Sequence, residues 1–408
     1  MLDKPGPGSV LRVSLPPVPQ QPHQARFPGP PLTRKIRKVG APLAVIILLG
    51  TLAGLIVIML TAANPVGTAV GFVLSSVAMT VVVLAYLWLD RWEPEPPRLL
   101  VLAFLWGASV AVVISVVLEL TVDALVNPAT VAGGTGAPSF ITVAIGAPLI
   151  EEAAKGMFLL IMMTGRRRNE LNSLTDCLVY AGLTAAGFAW LEDILYIANG
   201  ESLADSLLTA ALRLIMAPFA HPLFTTMIGI GVYLAMRQRH LVAKAGCLLL
   251  GYAAAVLLHA MWNGSSLLSL QAYVLVYVLW MVPIFILVIW LGVASRRREQ
   301  RVVAAKLPGM VAAGVITPNE ATWLGSIRHR KAAVGEASRL GGRSAGNEVK
   351  TFAAQVIELA FVRDRIDRGF GDQRVLALLT EETYAVHAAR AAAPTLYRMA
   401  GYRAARIG

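Results

Sequence analysis

The chain has 408 residues, 56% of them hydrophobic and 15% charged, with a mean hydropathy of +0.64. Soluble domains carry about 25% charged residues, so an ordinary soluble enzyme is excluded. The net charge is +12, unevenly spread: seven Lys/Arg against one Asp over 1–39, ten against thirteen Asp/Glu over 40–295, and nineteen against ten over 296–408. Both cysteines, Cys177 and Cys247, lie in long apolar runs, which rules out a disulfide framework.

Residues 1–33 are rich in Pro, Gly and Gln, a composition that buries too little apolar surface to fold. Arg34, Lys35, Arg37 and Lys38 then precede the first apolar run. That run is too long and too far from Met1 for a cleaved signal peptide and reads as an anchor with its N-terminus inside. A spanning helix needs about 20 mostly apolar residues. Eight runs qualify, at roughly 40–63, 66–89, 99–126, 140–164, 174–198, 207–236, 241–262 and 268–294. Pro218 and Pro222 interrupt the sixth. A short interfacial helix over 205–217, followed by a span from about 219, is its alternative reading.

With the N-terminus in the cytoplasm, the inner segments 90–98, 165–173, 237–240 and 295 onward hold Arg91, Arg98, Arg166, Arg167, Arg168, Arg237, Arg239 and Arg296–Arg298. The opposite loops, 127–139, 199–206 and 263–267, contain no Lys or Arg. This asymmetry predicts both termini inside. Trp88, Trp92, Trp106, Trp262 and Trp290 read mostly as span-end anchors.

Beyond the last span, Thr317-Pro318-Asn319-Glu320 is a capping-box signature with Pro at the first helical position. Helical periodicity continues over about 347–368 and 373–390. The tail reads either as a small basic helical domain or as an amphipathic extension on anionic lipid. The expected fold is therefore all-α: a polytopic membrane bundle of about eight helices over 40–295, with a disordered basic segment over 1–39 and a basic helical cytoplasmic tail over 296–408.

Ionisable side chains inside spans are costly and mark function by default. Glu151, Glu152 and Lys155 lie in span four, Glu192 and Asp193 in span five, His221 in span six, and His259 and Asn263 one turn apart in span seven. At about 1.5 Å per residue, Glu151 is roughly 16 Å from the outer end of its span. The set occupies the midplane and outer half. Glu can act as a general base on water, and His and Asn can stabilise an oxyanion or, for His, bind a metal. Cys177 has no adjacent base, and Ser265 and Ser266 lie in a polar turn, so the set reads as activation of water. Simpler roles stand beside this one. Glu151, Glu152 and Lys155 could be an internal ion pair, His221 a packed neutral histidine, and His259 with Asn263 an interhelical hydrogen-bond pair. Glu119 and Asp123 read as interfacial, and Arg213 as neutralising them or the site.

The blocks Glu151-Glu152-Ala153-Ala154-Lys155, Gly187-Phe188-Ala189-Trp190-Leu191-Glu192-Asp193-Ile194-Leu195-Tyr196, His221-Pro222-Leu223-Phe224 and His259-Ala260-Met261-Trp262-Asn263 resemble the PrsW family of bacterial intramembrane proteases. That family belongs to a wider superfamily with the CAAX prenyl endopeptidases and the Abi proteins. The blocks cover about 140–265. The resemblance implies cleavage of a membrane-anchored protein, often an anti-sigma factor, in the bacterial plasma membrane. It implies catalytic roles for Glu151, Glu152, Glu192, His221 and His259, and through the sister families for Asn263. Asp193 departs from the pattern, where Asn often follows the Glu. Zinc held by Glu192, His221 and His259 and a metal-free site both remain open. The expected partners are a membrane-anchored substrate, the bilayer and anionic lipid at the basic tails, with no nucleic acid. A proton-coupled transporter is the alternative function, though no inverted repeat is evident; a non-catalytic membrane scaffold is another.

Overall fold

A computed structural model of the chain describes residues 41–126 and 140–404. The basic segment 1–39 and the loop 127–139 lie outside the described residues. Among the described residues the regular structure is entirely helical. Among those residues seven helices are long and apolar enough to cross a membrane. An eighth, over 140–162, holds Glu151, Glu152 and Lys155, and is set apart from the seven by those three charges.

The helices are α1 (Leu43–Ala63), α2 (Pro65–Leu89), α3 (Pro97–Leu125), α4 (140–162) and α5 (Leu174–Ala198). Then come α6 (Leu203–Ala210), α7 (Ala220–Met236), α8 (Leu241–Leu268) and α9 (Leu270–Ala312). α6 continues as a wider π turn through Ala211–Met216, and the helix then breaks at Ala217, whose φ of −130° and ψ of 38° are not helical. The sixth apolar stretch is therefore interrupted, while Leu203–Met236 as a whole is long and apolar enough to cross a membrane. Pro218 and Pro222 supply no backbone donors there, so the chain re-enters a helix at Ala220 with His221 in its first turn.

α5 is the centre of the bundle. It is the least hydropathic of the seven apolar helices, yet nearly all of its residues are buried. Both facts have one cause. A helix surrounded by protein needs close packing rather than lipophilicity, and small residues allow backbones to approach. A Cβ on Gly107 of α3 would meet the Thr184 carbonyl at 1.8 Å, and one on Gly187 would meet the Phe104 carbonyl at 1.9 Å. Around α5 stand α2, α3 and α7, and α7 in turn packs on α8. There Gly231 and Gly251 face each other, a Cβ on Gly251 meeting the Gly231 Cα at 2.9 Å.

α9 runs without a break through residue 295 into the tail. The tail helices are α10 (Pro318–Leu324), α11 (Ile327–Arg365), α12 (Gln373–Ala391) and α13 (Thr395–Arg398). The capping box forms as expected: Glu320 N–H donates to Thr317 Oγ1, and Thr317 N–H donates to the Glu320 carboxylate. α11 bends at Gly341–Gly342, where Gly342 has φ +77°. These helices bury a common core that includes Leu307, Trp323, Phe352 and Val386. Trp92 belongs to that core, 3% exposed, with the Arg330 guanidinium 4.5 Å from its ring. Unlike a span-end anchor, it ties the α2–α3 connection to the tail.

Candidate functional site

Five helices bring the expected residues together. Lys155 is fully buried on α4, with its ammonium 2.6 Å from Glu152 Oε1 and 3.3 Å from Glu151 Oε2. The i,i+3 and i,i+4 spacings put both carboxylates within its reach, so it pairs with both rather than one. It also approaches His221 Nδ1 at 3.1 Å and stands 4.2 Å from the centre of the Phe188 ring. Glu152 is saturated: Oε1 meets Lys155 and, at 3.1 Å, His259 Nδ1, while Oε2 accepts the Thr225 hydroxyl at 2.8 Å.

Glu151 is the less engaged of the pair. Its Oε2 lies 3.8 Å from His221 Nδ1 and 3.9 Å from His259 Nε2. Glu192 Oε2 meets His221 Nε2 at 2.6 Å and Arg213 at 2.6 Å. Arg213 bridges on to Asp193 through Nε at 2.5 Å, so of its two expected targets it neutralises the site. Its π turn at the end of α6 carries it there, and π turns are frequent at functional sites. Side-chain exposure rises from 0% at Glu152 and Lys155 through 6% at Glu151 and 9% at His221 to 14% at Glu192 and 25% at Arg213. The cluster therefore opens toward Arg213.

Asn263 serves the backbone. A π turn at Thr142–Gly146 sends the Ala147 N–H to the Thr142 carbonyl, and Pro148 has no N–H to offer next. The orphaned Val143 carbonyl accepts from Asn263 Nδ2 at 3.1 Å. Three further contributors were given no role in the site by the sequence, although Phe224 closes the block that begins at His221. Thr225 holds Glu152, the Phe224 ring stacks on His259 at 4.6 Å, and Glu119 lies within electrostatic range of Glu192 and Lys155. Glu119 is a carboxylate within an apolar run and Thr225 belongs to a Thr-Thr pair within another, and those are their sequence cues.

The donor set can be tested against a metal. Glu151, His221 and His259 each offer a ligand atom, all within 4.8 Å of one another. The second nitrogen of each imidazole meets a carboxylate, Glu152 at His259 and Glu192 at His221, the pairing that orients metal-binding histidines. Four carboxylates face two cations in this set, a formal excess of two acidic groups. These residues fit a divalent ion such as zinc. The converging carboxylate is Glu151, whereas Glu192 lies behind His221.

The fold and site are those of a polytopic membrane protein with a buried Glu/His centre suited to hydrolysis. The model for the PrsW family of intramembrane metalloproteases matches residues 95–288. A protein described as Protease PrsW from Oceanobacillus iheyensis is 25% identical over 215 residues, covering 52% of this chain and 92% of that protein. No solved structure matches. The family match covers residues 95–288, a little under half of the chain, and supports an intramembrane protease of the PrsW kind.

Proposed function

We propose that the protein hydrolyses a peptide bond in a membrane-anchored protein at the Glu151–His221–His259 centre. The observation that carries this reading is the convergence of one carboxylate and two carboxylate-backed imidazoles from α4, α7 and α8. Glu151, His221 and His259 would hold the metal, which when bound supplies Lewis-acid activation of water and of the scissile carbonyl.

The chain's own residues do the rest. Both close contacts of Glu192 fall on Oε2, which leaves Oε1 to accept the proton of the attacking water and pass it to the leaving amine nitrogen. Arg213 holds Glu192 at the open edge of the cluster. His221 donates from Nε2 to Glu192, because Nδ1 faces an ammonium that can only donate; a metal held by His221 would take Nδ1 in place of that ammonium. Glu152 keeps the His259 proton on Nδ1, leaving Nε2 toward Glu151. Asn263 positions α8 against α4. The substrate is a single-span protein of the anti-sigma-factor kind. Both termini face the cytoplasm of a bacterial plasma membrane, as the arginines of 90–98, 165–173 and 237–240 support. Residues 40–295 form the protease domain and 296–408 the tail domain.

The test is cleavage of single-span reporters by the full chain in liposomes, with wild type beside Glu151→Gln, Glu192→Gln and His259→Ala. Cleavage lost in all three variants supports the reading. Cleavage that persists in Glu151→Gln overturns it, and proton flux without cleavage would favour a transporter.

A further inference from the structure

A second polar feature lies far along α7 from His221. A cavity of about 430 Å³ opens where the turn after α4, the α7–α8 connection and the end of α11 meet. Six cations line it: Arg168, Arg237, Arg239, Lys244, Arg365 and Arg368. Asp372 is the single lining carboxylate among the described residues, and it is committed to capping α12 by accepting from the Val375 N–H at 2.9 Å.

Several of these cations have partners. Arg368 pairs with Asp364, Arg239 donates to the Gly369 carbonyl at 2.9 Å, and Arg237 donates to the Tyr233 hydroxyl. Three keep a buried donor without a hydrogen-bond partner: Arg168 Nε, Arg365 Nη1 and, beside its ion pair, Arg368 Nε. Buried donors are normally paired, and each exception asks for a reason. Burial, with Arg168 close by, also pushes the Arg365 pKa down. Six like charges gathered around one open cavity describe a site shaped for an anion.

We propose that this cavity binds a phosphate group, with Arg168 and Arg365 as its principal contacts. Guanidinium forks match phosphate oxygens two at a time. Six cations against one carboxylate suit a ligand with strong, concentrated negative charge. The cavity touches the end of α7 and the first turn of α8, where two apolar helices leave their spans. Basic pockets at that level bind phospholipid head groups. A free phosphate compound offers the same chemistry.

The test uses the full chain in neutral detergent. Binding of dihexanoyl-phosphatidylglycerol and of inorganic pyrophosphate is measured separately, with dihexanoyl-phosphatidylcholine as the zwitterionic control. Loss of a charge-assisted fork predicts about tenfold weaker binding in Arg168→Gln and Arg365→Gln. Arg343→Gln, an exposed charge outside the cavity, should bind like wild type. Asp372→Asn keeps a capping side chain and should bind more tightly, so the proposal stays testable if the arginine variants fail to fold. Weakened phosphatidylglycerol binding assigns the site to a lipid head group, and weakened pyrophosphate binding alone assigns it to a soluble phosphate. No binding of either probe by wild type, or equal weakening by Arg343→Gln, overturns the proposal.

Discussion

The Glu152 carboxylate lies 3.1 Å from Nδ1 of His259, on a helix more than a hundred positions away in the chain. The same carboxylate holds Lys155 and Thr225, so one side chain ties α4 to both α7 and α8. Removing its charge leaves the Lys155 ammonium buried with one carboxylate fewer. Breaking a buried pair costs about 3–5 kcal/mol. Glu152→Gln is therefore expected to lower the melting temperature in detergent sharply, whereas Glu151→Gln lowers it little. Equal melting temperatures for the two variants would contradict this division of labour.

Glu151 and Glu192 are expected to fail in different ways. Both Gln variants should lose at least about a hundredfold in kcat, the usual scale for acid–base and electrostatic groups. Glu151→Gln and His259→Ala should also lose bound zinc, measured by elemental analysis of purified protein, while Glu192→Gln retains it. Chelation should abolish cleavage by wild type and added zinc restore it. Retention of zinc by Glu151→Gln would move the metal role to another carboxylate.

Arg213 bridges Glu192 and Asp193, and its loss leaves two adjacent carboxylates unneutralised. Arg213→Gln should reduce cleavage by at least about tenfold, since charge-assisted contacts hold the proton acceptor in place. Arg213→Lys should recover part of it, because charge returns without the two-pronged geometry. A Gln variant as active as wild type would show that the bridge is dispensable.

The α3–α5 crossing leaves no room at Gly107 or Gly187. Alanine at either position forces the helices apart and should cost about 1–3 kcal/mol or more, as overpacking does. Gly54, whose added Cβ would meet nothing within 4 Å, is the control. Thermal unfolding of the three alanine variants checks this, and a Gly107→Ala as stable as Gly54→Ala would refute the close crossing.

Burial pushes the Asp90 carboxyl up to about 8, with the Asp176 and Glu299 carboxylates adding to the rise and the Glu95 N–H opposing it. Unfolded, the same group titrates near 3.8. The folded protein thus holds a proton that the unfolded chain releases as pH rises through the unfolded value. This stabilisation is complete below about pH 4 and is lost by about pH 8. Glu93 and Glu95 are pushed up as well, also chiefly by burial, and act in the same direction. Melting temperature should fall between about pH 5 and 8, and Asp90→Asn should reduce that slope. An unchanged slope would exclude Asp90 as a contributor.

Much of this protein is legible from residue order because a bilayer imposes strong rules. Apolar runs of spanning length, arginines concentrated in alternate loops, and the Thr317–Glu320 capping box are local patterns, and local patterns survive in one dimension. The charged helix over 140–162 was readable for the opposite reason: Glu151, Glu152 and Lys155 are too costly in a span to lack a purpose.

Relations between spans were decided only by the tertiary structure. Nothing local to Arg213 distinguishes Glu192 and Asp193 from Glu119 and Asp123 as its partners. The π turn and the break at Ala217 aim it. Asn263 looks like an oxyanion donor by spacing, yet a proline on another helix leaves it a carbonyl to satisfy. Trp92 has the position of an interfacial anchor but fills the tail core. Composition and hydropathy depend on each residue alone, so the chain itself determines a helical membrane protein with an ionisable centre. Hydrogen bonds and ion pairs depend on distances of a few ångströms between remote positions, and only the packed bundle sets those.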